Sequence, residues 1–144
     1  MNHALQYVDR RFEDFVAQLE DFLRIPSIST DSAYADEVRR AANWLAEHLR
    51  AIGIQHAEVV DTEGHPVVYA EHLVDPDRPT VLVYGHYDVQ PPDPLELWTS
   101  PPFEPMRRNG TIYARGACDD KGQLFMHVKA AEAYLQQEGA LPVN

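Results

Sequence analysis

The stretch Val81-Leu82-Val83-Tyr84-Gly85-His86-Tyr87-Asp88-Val89-Gln90-Pro91 decides how this chain is read. Its first four residues are apolar without a break. A strand with one face in water alternates apolar and polar residues, whereas an unbroken run suits a strand covered on both faces. A strand is therefore expected over 80–84. His86 and Asp88 follow where such a strand would leave its sheet, and the carboxyl ends of strands are where open α/β sheets bind ligands. An imidazole there can offer one nitrogen to a metal while a carboxylate two residues on takes the proton of the other and fixes the tautomer. The same two side chains could equally do no more than satisfy a local turn.

Working outward, the N-terminal side is helical. Leu5, Val8, Phe12, Phe15, Val16, Leu19, Phe22 and Leu23 recur at steps of three and four, which predicts a helix ended by Pro26. Residues 27–32 read as a polar turn. Asp31 or Ser32 caps a second helix with Val38, Ala41, Ala42, Leu45, Leu49 and Ile52 on one side and Gly53 at its end. Short strands are expected at 54–60 and 66–73. On the C-terminal side, six of the 11 prolines fall between Pro91 and Pro105, which excludes a helix or a central strand. Leu95, Leu97, Trp98 and Phe103 within it argue for an ordered loop anchored on the body. Asn109-Gly110 signals a hairpin turn before a brief strand at 111–114. Leu124, Val128, Ala131 and Leu135 mark a helix over 122–137 closed by Gly139, and residues 141–144 look like the approach to another strand. The order is that of an α/β domain with at least one parallel crossover.

A second candidate cluster, Asp119-Asp120-Lys121-Gly122, stands between the last short strand and the last helix. A helix N-terminus favours carboxylates through its free N–H groups and its dipole, so these acids can be a cap. A cap needs only one acid, which leaves ligation of a cation open for the pair. Imidazole and carboxylate together would make half of a zinc- or manganese-type site, since zinc takes about four ligands. His3, His48, His56, His65, His72 and His127 have no ligand-like spacing with acids, and Glu63 and Glu71 read as solvated surface. Cys118 reads as a small buried residue, since a nucleophilic thiol would need a partner that the sequence does not offer.

Composition narrows the classes. The 144 residues are 44% hydrophobic and 24% charged, a soluble globular mixture. Twelve Lys and Arg against 23 Asp and Glu give a net charge of −11, which disfavours nucleic acid and anionic membrane as partners. A single cysteine excludes an intrachain disulfide and fits a reducing compartment. No apolar run approaches the ~20 residues of a membrane span, and residues 1–11 lack the apolar core of a signal peptide. A cytoplasmic, soluble protein is expected.

The stretch from Val81 to Pro91 resembles the first metal motif of the M20 family of metallopeptidases, and Trp98, Pro102-Phe103 and Pro105 match the loop after it. Ile112-Tyr113-Ala114-Arg115-Gly116-Ala117-Cys118-Asp119-Asp120-Lys121-Gly122 resembles the second motif. Asp-Val-Gln-Pro and Asp-Asp-Lys-Gly are most similar to the dipeptidase and carnosinase-like branch. Many members have Gly-Arg-Gly where this chain has Ala114-Arg115-Gly116. The resemblance implies a three-layer α/β catalytic domain of zinc-peptidase type, with a mixed, mostly parallel sheet flanked by helices. It implies hydrolysis of peptide bonds in dipeptides or small peptides, with N-acyl amino acids second, through a water activated by two divalent cations, zinc first and manganese or cobalt as alternatives. It makes His86 a metal ligand, Asp88 the catalytic-site residue that orients it, Asp119 the carboxylate bridging both metals, and Asp120 its support through a cis peptide. The paired glutamates, the further acid and the distant histidine of the family have no counterparts here, nor has its lid or dimerisation domain. Residues 1–144 are therefore expected to be the N-terminal part of the catalytic domain of a parent that is a homodimer, and to lack turnover alone. The competing reading is a non-catalytic metal-binding or interaction module that keeps half of the site.

Overall fold

The computed structural model describes residues 2–144. Helix α1 (Asn2–Leu23) runs to the turn before Pro26, as the apolar spacing predicts. Asp31 caps a short 3-10 turn at Ser32–Tyr34 by accepting the Ala33 N–H at 2.9 Å, and α2 (Ala35–Ala51) follows directly. Val38, Ala41, Ala42, Leu45 and Ala46 form its buried stripe. Strands β1 (His56–Val60) and β2 (Val67–Glu71) pair antiparallel, and so do β3 (Met106–Arg108) and β4 (Thr111–Tyr113). Asn109 and Gly110 both take positive φ, 51° and 75°, the geometry of the tight hairpin that their sequence announces. Helix α3 (Lys121–Glu138) ends at Gly139 in the left-handed conformation.

The core lies where the three helices meet. Phe22, Ile25, Ala41, Leu45, Ile52, Phe125 and Val128 form it, and Phe22 stacks on Trp44 with ring centroids 4.7 Å apart. The buried face of α3 is not the expected one. It carries Phe125 and Val128 but also Lys129 and Glu132, while Leu124 and Leu135 are only half-buried. The two charges are tolerated because they are paired: Lys129 Nζ lies 2.6 Å from a Glu132 carboxylate oxygen and donates to Gln18 and to His48 Nε2. Its ammonium also sits 4.7 and 4.6 Å from the rings of Phe15 and Phe125.

The expected strand at 80–84 does not form. Leu82 and Tyr84 are 91% and 87% exposed, since the described residues lay no strand along that run. Only its start is paired: Asn144 donates its N–H to the Pro79 carbonyl at 2.9 Å and accepts from the Val81 N–H at 2.8 Å. Those two bonds are a single step of parallel pairing between Thr80 and Asn144. The Asn144 side chain makes four more hydrogen bonds to the 74–78 turn. A second parallel bridge joins Ile28 to Val89. The fold is mixed α/β, but the sheets are short antiparallel pairs with two isolated parallel contacts, not a mostly parallel sheet. The proline-rich loop is ordered as expected: Trp98 donates to the Pro92 carbonyl at 2.7 Å and lies 5.3 Å from the Arg115 guanidinium. Leu95 and Leu97 do not anchor it, being exposed on a short 3-10 turn.

Candidate active site

Two segments far apart in sequence are joined at the back of the His86 loop. Ser27 Oγ donates to the Tyr87 carbonyl at 2.7 Å, and Val89 N–H donates to the Ser27 carbonyl at 2.9 Å. Ser27, Ile28 and Val89 are buried. This seam fixes the backbone from which His86 and Asp88 project. On the front, the Asp120 carboxylate accepts the His86 backbone N–H at 3.1 Å. Gly85 makes that approach possible: a Cβ there would meet the same carboxylate oxygen at 2.9 Å and Leu124 at 3.0 Å.

The imidazole of His86 lies between two carboxylates. Its Nδ1 is 3.1 Å from Asp88 Oδ1 and 3.2 Å from the Asp88 carbonyl, and its Nε2 is 3.0 Å from Asp119 Oδ1. All three of these oxygens only accept: Nδ1 faces two of them and Nε2 one, so the neutral ring keeps its proton on Nδ1 and leaves Nε2 as the nitrogen that can offer a lone pair. Burial alone would lower the His86 pKa. The hydrogen bond to the Asp88 backbone and the charges of Asp88 and Asp119 outweigh it and raise the pKa. Asp119 and Asp120 are joined by a cis peptide. Asp120 occupies the cap position of α3 without a side-chain cap bond, so its carboxylate serves His86 rather than the helix.

The chain thus brings together His86, Asp88 and Asp119, with Asp120 beneath them. The donor set suits a divalent cation in kind, since an imidazole nitrogen and a carboxylate oxygen stand 3.0 Å apart. It is short in number: among the described residues no group of three or more His, Cys, Asp or Glu is arranged to hold an ion. Cys118, expected to be buried, is exposed. It sits on the loop before α3 and lines an open cavity of about 590 Å³ with Trp98 and Tyr113.

Sequence reasoning missed the supports of the site. Lys121 is fully buried and donates to the carbonyls of Phe22 at 3.0 Å and Ile25 at 2.7 Å, tying the start of α3 to the end of α1. Burial, and then the charge of Arg40, lower its pKa to about 7 against the opposing pull of Asp88 and Glu37. Tyr87 donates its hydroxyl to the Pro66 carbonyl, and burial followed by the Asp88 charge pushes its pKa up to about 12. The serines of 27–29 lie in what the sequence presents only as a polar turn. The signal was their alternation around Ile28, the period of an extended segment.

Residues 82–144 match the model of Peptidase family M20/M25/M40. The Cys-Gly metallodipeptidase dug1 of Schizosaccharomyces pombe is 31% identical over 100% of this chain and 32% of its own length. The human Beta-Ala-His dipeptidase is 32% identical over 100% of this chain and 31% of its own length. The crystal structure of human carnosine dipeptidase 1 superposes with a TM-score of 0.90 at 31% identity, covering 99% of this chain and 32% of that one. The chain therefore spans about a third of the length of the relatives it matches. No helix among the described residues is long and apolar enough to cross a membrane.

Proposed function

The chain belongs to peptidase family M20, and from that premise we propose that it supplies one half of a metal-dependent dipeptidase site. The observation that carries the reading is the His86 imidazole held between Asp88 and Asp119. His86 Nε2 and Asp119 would hold the metal, with two divalent cations expected and zinc first among them on affinity grounds. When bound, such cations supply Lewis acidity to a scissile carbonyl and an attacking water. Asp88 keeps the Nδ1 proton in place, so the Nε2 lone pair faces outward. Asp119 offers two oxygens and thus suits a bridging role. Asp120 holds the His86 backbone. The substrates we infer are dipeptides, from the names of the relatives, with N-acyl amino acids second, and the expected parent is a cytoplasmic homodimer. Residues 1–144 would then form the N-terminal part of a three-layer catalytic domain and, offering two ligands and no positioned general base, would not turn over alone.

The test is a chimera in which these 144 residues replace the corresponding third of the S. pombe Cys-Gly metallodipeptidase. Metal-dependent Cys-Gly hydrolysis that disappears on His86→Ala is the expected result. A folded chimera whose hydrolysis is indifferent to His86→Ala would overturn the assignment. Robust turnover by the 144 residues alone would overturn the half-site reading.

A further inference from the structure

Beyond the residues that would hold the metal, we propose that Ser29 is a positioning residue: it sets the Asp88 carboxylate, and through it presents His86 Nε2. The inference rests on the metal-site reading above. Asp88 has two oxygens. Oδ1 faces His86 Nδ1 at 3.1 Å, and Oδ2 accepts the hydroxyl of Ser29. Without the second contact the half-exposed carboxylate would be free to rotate about its terminal torsion, which is broad for an Asp. Ser29 is itself located from several directions. Its carbonyl lies 2.7 Å from His65 Nε2, and the Ile28–Val89 bridge and the Ser27–Tyr87 bond lock the residues just before it. The turn that carries His65 also receives the Tyr87 hydroxyl at Pro66. The result is a continuous chain of contacts, from His65 through Ser29, Asp88 and His86 to Asp119. A hydroxyl at 29 is therefore not a surface decoration. It is the fixed end of the lever that decides which imidazole nitrogen is protonated.

The outer partners of metal-binding histidines usually tune affinity about 10–100-fold. The experiment uses the whole 144-residue chain with Ser29→Ala and Ser29→Thr. The first readout needs no metal: the ring nitrogen NMR shifts of His86 at about pH 9, well above the ordinary histidine pKa. Wild type and Ser29→Thr should show the Nδ1-protonated tautomer, and Ser29→Ala a mixture of both. The second readout is zinc titration, where Ser29→Ala should bind about tenfold more weakly and Ser29→Thr like wild type. An unchanged tautomer in a folded Ser29→Ala chain would overturn the proposal, and so would failure of threonine to restore it. Loss of zinc binding from every variant, with the tautomer still following residue 29, would instead sink the metal reading and leave the positioning role standing.

Discussion

The end of α1 and the run 81–84 both carry large apolar side chains, yet these end up opposite. Phe22 and Leu23 are wholly buried, whereas Leu82 and Tyr84 lie almost fully in water. The first pair has α2 and α3 to pack against, with Trp44 and Phe125 around Phe22. The second has one parallel step at Thr80 and nothing along the rest. Side-chain character says that a segment needs cover; it does not supply the cover. The metal-type residues stand between these two regimes, with their backs on the buried seam of Ser27, Ile28 and Val89 and their fronts toward the open side.

The contrast can be broken most sharply by truncating one residue from each region. Phe22→Ala should cost about 3–5 kcal/mol of stability in urea unfolding. Leu82→Ala should stay within about 0.5 kcal/mol. Comparable losses at both sites would mean that the run 81–84 has packing in solution that the structure lacks. Next in size is Asn144→Ala, which removes the side-chain bonds that tie the 74–78 turn to the last residue. A loss of about 1 kcal/mol is expected. Faster amide exchange at Val81 should accompany it, with no change in α1.

The remaining effect is a pH dependence of the buried polar cluster. Burial, then the charge of Lys129, lower the His48 pKa to about 4, against the pull of Glu132. Lys129 donates to His48 Nε2, which requires the neutral ring. Between about pH 6.5 and 4 the unfolded chain takes up a proton at residue 48 and the folded chain does not. Stability is therefore complete above that window and falls as the pH drops through it. His48→Gln removes this titrating group, so the unfolding midpoint should fall less between about pH 7 and 4.5 in the variant than in the wild type.

Much of this was legible in the residues. Apolar spacing located the three helices, Gly53 and Gly139 marked helix ends and Asn109-Gly110 the β3–β4 hairpin, because these signals act within a few residues. The pairing of His86 with Asp119 was announced by two motifs that resemble one family, although the strand expected before His86 is absent. What escaped depends on long-range partners. Lys129 and Glu132 could not be placed inside without knowing that Gln18 and His48 would meet them. Lys121 needed the carbonyls at the end of α1, and Ser29 needed Asp88, some sixty positions away. The expected strand at 80–84 failed for the same reason, since a strand exists only with a neighbour.

The central claim is that His86 and Asp119 form one metal-binding half-site. Calorimetric zinc titration of the 144-residue chain tests it most directly, comparing wild type, His86→Ala, Asp119→Ala and the exposed control His127→Ala. The account predicts a single weak zinc-binding event that survives in the control and is lost in both site variants. Zinc binding that is unchanged by His86→Ala and Asp119→Ala would contradict it.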